Sequence, residues 1–587
     1  MSIKATIASG ILSVLKDDFQ LENAAPEVQP TKDGFEGDFT VVIFPLVKLL
    51  KKSPDEIGKE LGGKLQERLD FVESFNVVKG FLNLKIKDEH LLEDFRQGIE
   101  NLRQKPQRNE TVMVEFSSPN TNKPLHLGHI RNNLLGWSVS QILQEDGYDV
   151  IKTQIINDRG IHICKSMLAW EKSGRKETPE NSGMKGDHLV GKYYVEFDKV
   201  YKDEARALQE KGLNEDEAKK QAASILEAQE MLVKWEQNDK AVRNLWREMN
   251  AWVYAGFNET YRRLGVSFDQ IQYESETYIL GKDLIQKGLD EGVFYRREDG
   301  SVWVDLADEG LDQKLLLRAD GTSVYMTQDL GTAVQRFERN DISQLIYTVG
   351  NEQDYHFQVL FKILKKLGYK WADSLYHLSY GMVELPEGKM KSREGNVVDA
   401  DDLMQEMYET AKAKAQELGK MEGLSEAQKE ASYEIIGLGA LKYFMLKVDP
   451  KKKMLFDPKK SVDFEGNTGP FIQYTYARIQ SLLSKAGGTE NVDFANVSLN
   501  AFEKEQMALI GSYRETVSKA AESLSPALIA NFVYDLVKSY NSFYQNNPIL
   551  NNDDEAVKNF RIELSRQTAA VIKSSLKLLG IETVDRM

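Results

Sequence analysis

Two histidines stand three residues apart around a glycine in the run Pro124-Leu125-His126-Leu127-Gly128-His129. At the start of a helix that spacing sets both imidazoles on one face, over the positive end of the helix dipole. A phosphate group suits such a place, and Gly128 would let it approach the backbone. The chemistry implied is attack at phosphorus, with negative charge growing on the phosphate oxygens. With only 7 His in 587 residues, a chance HxGH is rare, and its position between a β-prone run and a helical one strengthens it. A pair of packed or surface histidines is the competing reading.

A second run, Lys389-Met390-Lys391-Ser392-Arg393-Glu394-Gly395-Asn396, sets three cations in five residues beside a glycine. A loop of this kind could clamp phosphates in a transition state, although charged glycine-containing loops are common. Lysines cluster again at Lys451-Lys452-Lys453 and Lys459-Lys460. There, solvated surface competes with RNA phosphates as the explanation. Further on, Phe532, Tyr534, Tyr540, Phe543 and Tyr544 fall at helical positions. Most read as core.

Elements must hold these groups. Thr111-Val112-Met113-Val114-Glu115-Phe116 is β-prone, a helix is expected over about 128–146, and DVIKTQII at 149–156 reads as a second strand. Strand, loop, helix, strand is the pattern of a nucleotide-binding α/β sheet. Strand-like runs return at 301–306, 344–349 and 376–383, and the charged, helically spaced stretch at about 180–250 reads as an insertion. Residues 1–108 read as a small α+β unit with helices at 2–17 and 53–69 and a strand at 80–86. Ser53-Pro54-Asp55-Glu56 supplies a helix start. Past 401 nearly everything reads helical, with 401–465 as a connector and 466–587 as a terminal helical domain.

Composition bounds the rest. A chain of 587 residues, 41% hydrophobic and 28% charged, divides into several globular domains. Cys164 stands alone, which excludes an intrachain disulfide and a cysteine-based zinc cluster and fits a reducing cytosol. No signal peptide and no membrane span is expected. A net charge of −15 argues against loose binding to nucleic acid, but leaves room for local basic surfaces.

HLGH resembles the signature of class I aminoacyl-tRNA synthetases, and the surrounding segments resemble the arginyl family. These are Glu115-Phe116-Ser117-Ser118-Pro119-Asn120, Asn157-Asp158-Arg159-Gly160, Tyr325-Met326-Thr327-Gln328-Asp329-Leu330-Gly331 and Gly350-Asn351-Glu352-Gln353-Asp354-Tyr355-His356-Phe357. Glu465-Gly466-Asn467-Thr468-Gly469-Pro470-Phe471-Ile472-Gln473-Tyr474 completes a series in family order over most of the chain. The resemblance implies a Rossmann-type catalytic domain at 109–400, an N-terminal α+β domain that meets tRNA, and an all-helical anticodon-binding domain. It implies ATP with Mg2+, L-arginine and tRNA(Arg) as substrates and partners, with the 2′-hydroxyl of the terminal ribose acylated first and tRNA needed for the first step. His126, His129 and Lys123 would be catalytic, and Gly128, Met390, Lys391, Ser392 and Arg393 would join them around ATP. Ser392 stands where the usual KMSKS signature has its second lysine, and Lys123 would supply the missing charge. Glu115, Tyr325 and Asp329 would take the guanidinium, a cation suited to paired carboxylate hydrogen bonds. Ser118, Asn120 and Gln353 would hold the amino and carboxylate end. Lys451, Lys452, Lys453 and Tyr474 would contact tRNA. In the N-terminal unit the match at Gly37-Asp38-Phe39 is looser, because Thr40-Val41-Val42-Ile43 follows where the family often has asparagine.

Rival readings are weaker. A cysteinyl enzyme would need zinc-binding cysteines, and leucyl, isoleucyl or valyl enzymes need an editing domain for which there is no length. A non-synthetase nucleotidylyltransferase would leave the helical C-terminus without a use. A tRNA-binding paralogue without catalysis would be expected to lose His126, His129 or Asp329. The expectation is therefore a monomeric, cytoplasmic arginine-activating enzyme with no resident metal.

Overall fold

The computed structural model describes residues 2–587 except 23, 25, 32, 33, 103, 175, 385–397, 420, 422 and 488–496. At its centre five parallel strands lie in the order Leu375–Tyr380, Gln344–Gly350, Thr111–Glu115, Asp149–Ile156, Gln270–Tyr273. The middle strand is buried on both faces, which its unbroken Val112-Met113-Val114 run requires. Chain order reverses between Thr111–Glu115 and Gln344–Gly350, so a crevice opens beyond the carboxyl ends of those two strands. The edge strand Gln270–Tyr273 has no counterpart among the sequence expectations. Its Gln-Ile-Gln-Tyr run is only partly covered and too short to read as a strand.

One face of the sheet packs Met113 and Leu345 against Leu330, Val334, Leu360 and Ile363. On the other face, Val112 and Val114 join Leu134, Leu135 and Val139 of the helix Leu127–Glu145. That core continues without interruption into Leu536, Val537 and Phe560 of the C-terminal helices. The helix carrying the histidine motif is therefore covered on nearly every side, and Ser138 donates to the Leu578 carbonyl at 2.8 Å. A site resting on this helix inherits its rigidity.

The insertion consists of Gly186–Glu210, Glu215–Gln221, Ala223–Glu236 and Lys240–Leu264, running past the expected end near 250. The run at 301–306 falls in a separate antiparallel sheet of Phe294–Arg296, Val302–Val304 and Lys314–Leu317. Ahead of the central sheet, helices Ile3–Asp17 and Pro54–Arg68 pack on four antiparallel strands, where one strand was expected. Ser53 and Glu56 form the capping box that their spacing predicts. Helix Asp88–Leu102 was not anticipated, and in the C-terminal domain helices Ala501–Gly511 and Tyr513–Ser523 meet at Ser512. Lys504 ties the N-terminal unit to the C-terminal helices through Asp38 at 3.2 Å and Asp88 at 2.8 Å.

Candidate active site

His126 is the N-cap of the helix Leu127–Glu145. Its Nδ1 accepts the Gly128 N–H at 3.1 Å, and His129 Nδ1 accepts the His126 N–H at 3.1 Å. Two imidazoles thus do the work that Ser and Glu do in an ordinary capping box. Because both Nδ1 atoms accept, each neutral ring carries its proton on Nε2. Burial pushes His126 down to about 4, with the Lys123 charge acting in the same direction. Burial, then His126 and Lys123, holds His129 well below its ordinary value. The pair therefore stays uncharged at neutral pH and presents N–H donors. Burial also lowers Lys123, the cation beside them.

The loop before the motif is held from several directions. Asn132 accepts the Ser117 N–H at 2.6 Å and donates to the Thr348 carbonyl at 2.7 Å, bridging the two strands that flank the crevice. Ser117 sits at φ 62, a conformation that non-glycine residues rarely adopt, and its hydroxyl meets that of Tyr261 at 2.7 Å. Asn120 pairs with Asn157 in a short bridge, and Asn157 donates to the Ser118 carbonyl at 3.3 Å. Gly136 is required for the close approach of Phe116, which would stand 2.2 Å from any Cβ there.

Carboxylates gather on the other side of the crevice, at the strand ends. Glu115 ends its strand, but its carboxylate is taken by Arg336, whose Nε also donates to Gln272 at 2.9 Å. The expectation gave Glu115 to the guanidinium of a ligand; here its carboxylate meets a guanidinium of the chain itself. Tyr325 and Asp329 lie one turn apart at the start of helix Tyr325–Arg339, as their spacing implies. Asp329 meets His356 Nε2 at 2.6 Å, and the Tyr325 ring, 59% exposed, lies 6.2 Å from that imidazole. Glu274, just past the edge strand, has its carboxyl pushed up to about 7. Burial is the chief cause, with Asp158 and Asp329 adding to it against the pull of Arg159. Asp158 accepts from Ser275 and Tyr254, each at 2.8 Å. Crowded carboxylates with one proton to spare make a receptor for a cation. Ser118 is half-buried, while Asn120 and Gln353 are exposed at the rim.

Met390, Lys391, Ser392 and Arg393 fall outside the described residues. Val398 and Ala400 pair with Leu127 and Leu125 at 3.1 and 3.0 Å, so these two residues lie against the histidine motif. Lys451, Lys452 and Lys453 are exposed, on a turn fixed from beneath by Arg131, which donates to Pro450 and Lys452 carbonyls at 3.1 and 3.0 Å. Tyr474 lines a cavity of about 1170 Å³ with Arg478, Tyr544 and the C-terminal Asp585 to Met587. Phe532, Tyr540 and Phe543 are core, whereas Tyr544 is 39% exposed.

Sequence reasoning gave no part to Glu274, Arg336 and His356, which the fold brings to this crevice. His356 was in view within its motif without a role. Arg336 lies seven residues past Asp329, two helical turns on the same face. Glu274 follows the unrecognised edge strand, and only that strand's end brings it to the crevice.

Three family models match the chain: an arginyl-tRNA synthetase N-terminal domain over residues 1–86, the class I (R) tRNA synthetase catalytic domain over 93–457, and a DALR anticodon-binding domain over 472–587. The arginine–tRNA ligase of Flavobacterium psychrophilum is 56% identical, and that of Bacteroides fragilis 54%, each over 100% of both chains. Among solved structures, Thermus thermophilus arginyl-tRNA synthetase superposes with a TM-score of 0.80 at 26% identity, covering 100% of both chains.

Proposed function

The chain belongs to the arginyl-tRNA synthetase family, and from that premise we propose that it activates L-arginine with ATP and esterifies it to tRNA(Arg). The observation carrying this reading is the division of the crevice. Neutral imidazole donors line the helix-N-terminal side, and a crowd of carboxylates lines the other. The first suits a phosphate, the second a guanidinium.

In the first step a carboxylate oxygen of arginine attacks the α-phosphorus of ATP. The bond to the bridging oxygen of the β-phosphate breaks, and pyrophosphate leaves. Nε2–H groups of His126 and His129 donate to oxygens whose charge grows at that phosphorus, and Lys123 adds a nearby cation. Such fixed donors stabilise charge without reorganising. Gly128 allows the nucleotide close to the helix terminus. Met390, Lys391, Ser392 and Arg393 complete the triphosphate clamp in this reading.

Asp329, Tyr325 and Glu274 take the guanidinium, with Glu115 acting through Arg336 as a positioning residue. Ser118, Asn120 and Gln353 orient the amino and carboxylate end. A hydroxyl of the tRNA 3′-terminal ribose then attacks the arginyl-adenylate carbonyl, and AMP leaves. Catalysis is placement and electrostatics, with no covalent enzyme intermediate.

Magnesium accompanies the triphosphate in this reading. Asp399, whose charge reaches His126, already caps the helix Ala400–Glu417 and pairs with His188 at 3.2 Å. An ion of this kind keeps several waters and is bound through substrate phosphates. No residue role above depends on it.

Residues 1–108 and Lys451, Lys452 and Lys453 meet the tRNA body. The cavity around Tyr474, Arg478 and Tyr544 receives anticodon-loop bases, where a tyrosine face can stack. The enzyme works as a cytoplasmic monomer in this reading. Buried Cys164, the sole cysteine, supports the compartment, and among the described residues no helix is long and apolar enough to cross a membrane. The test is arginine-dependent pyrophosphate exchange with cognate tRNA and magnesium. Exchange is expected, and its absence would sink the reading.

A further inference from the structure

Asp399 faces two histidines. On one side it lies opposite His126 in an antiparallel bridge, closed by the Leu127 N–H to the Val398 carbonyl at 3.1 Å and the Ala400 N–H to the Leu125 carbonyl at 3.0 Å. On the other its carboxylate pairs with His188 Nε2 at 3.2 Å, and Asp401 reaches the same nitrogen at 3.4 Å. The two imidazoles differ in character. Burial, then the Lys123 charge, brings His126 down to about 4, whereas the carboxylates of Asp399 and Asp401 push His188 up to about 10. At neutral pH a cation therefore stands behind Asp399 and a neutral donor in front of it.

Beneath His188 the joint is deep. Helix Gly186–Glu210 starts at Lys185, whose ammonium donates to Asp401 at 2.5 Å, Thr260 at 2.6 Å and Asp187 at 3.1 Å. Thr260, on the insertion helix Lys240–Leu264, donates to Asp401 at 3.0 Å. Asp187 is fully buried and accepts the His188 N–H at 3.1 Å. Against burial, His188 and Lys185 bring Asp401 down to about 2. Lys185 fills the place between Asp187 and Asp401 that a free cation would take, and removing a partner from so buried a pair would strand a charge. On the same face as His188, one turn on, Gly191 lets this helix pass under the motif loop, where a Cβ would stand 2.9 Å from Pro124. Each charge of the joint is answered inside it, so what the joint supplies is position.

We propose that His188 is a positioning residue for adenylation: its ion pair with Asp399 holds residues 398–401 against the start of the helix Leu127–Glu145 and so fixes the direction in which the His126 imidazole faces phosphate. This rests on the proposed function, in which His126 donates to the α-phosphate. His126 accepts the Gly128 N–H through its own Nδ1, so its ring follows the local backbone, and Asp399 is the neighbour across the bridge from that backbone. A displacement of that neighbour turns the Nε2–H away from the oxygens where charge grows, and misplacement of this kind is felt in rate.

The test is single-turnover adenylation, with tRNA present, by full-length protein carrying Asp399→Asn, His188→Gln or both. Asn keeps an oxygen to cap helix Ala400–Glu417 and removes only the charge. His188 is the most exposed member of the joint, and Gln keeps an N–H near the place of Nε2. Each single change should slow adenylation about 10–10²-fold. KM for ATP and for arginine should each stay within about twofold of the parent, since the donor is mis-set in the transition state and ground-state binding is kept. The double variant should be no slower than the slower single, because the two side chains act as one unit. His188→Arg, which returns a cation to Asp399, should recover rate that His188→Gln loses. Parent-like adenylation in both single variants would overturn the inference. So would losses that multiply in the double variant, or a KM for arginine that rises in step, the mark of a crevice loosened as a whole. A parent protein without adenylation would overturn the proposed function together with the inference, whereas an active parent with unaffected variants overturns the inference alone.

Discussion

The two sides of the crevice treat ionisable groups in opposite ways. Beside the signature helix, burial strips charge from groups able to carry a positive one, holding His126 near 4 and lowering His129 and Lys123. Across the strand ends, burial crowds acids together until Glu274 retains its proton to about 7. One desolvation penalty acts on both sides, and it yields neutral donors for an anion on one and an unfinished counter-charge for a cation on the other. The backbone decides which. The histidines are fixed by N–H groups of their own helix terminus, whereas the acids come from three separate elements: a strand end, a helix start and the turn after the edge strand.

The comparison breaks most visibly at Asp329. Replacing it with Asn should lower kcat/KM for arginine about 10³-fold, because a site built for a hydrogen-bonded cation discriminates steeply once a partner is lost. Arginine titration of pyrophosphate exchange reads this, and KM for ATP should move little. Next comes pH. Below about 7 Glu274 is protonated and cannot pair with a guanidinium, so KM for arginine should rise as pH falls from 8 to 6, by up to about tenfold per unit. Glu274→Gln should flatten that dependence while raising KM at pH 8. The histidine side should show no matching transition in this window.

Smaller effects concern stability. A carboxyl raised in the fold keeps its proton while the unfolded chain has lost it. Glu274 therefore costs stability as pH rises from about 4.5 to 7, and Glu274→Gln should gain on the order of 2 kcal/mol at pH 8 by denaturant melts. His126 has the reverse sign of a usual paired histidine. Its lowered value means the unfolded chain takes up the proton first, so its contribution falls as pH drops from 6.5 toward 4. Gly136→Ala should destabilise by about 1–3 kcal/mol through Phe116.

Much of this was legible in the sequence, for local reasons. His126, Gly128 and His129 lie within one helix turn, so spacing alone placed them, and Tyr325 and Asp329 likewise share one face. The capping box at Ser53 and the strand at 149–156 depend on neighbouring residues only. What escaped is non-local. Arg336 reaches Glu115 across 221 residues, and His356 reaches Asp329 from the next helix. Glu274 depends on a partly exposed edge strand with no hydrophobic period to announce it. The shared core between signature helix and C-terminal helices is equally invisible, since patterning marks a buried face without naming what covers it.

The central claim is that the histidine side acts on phosphate and leaves arginine recognition to the far side. It is tested most directly by His129→Ala, measuring single-turnover adenylation and equilibrium arginine binding on one preparation with tRNA present. Adenylation should fall about 10²–10³-fold while arginine affinity stays within about twofold of the parent. Adenylation at the parent rate, or arginine affinity lost in step with it, would contradict the account.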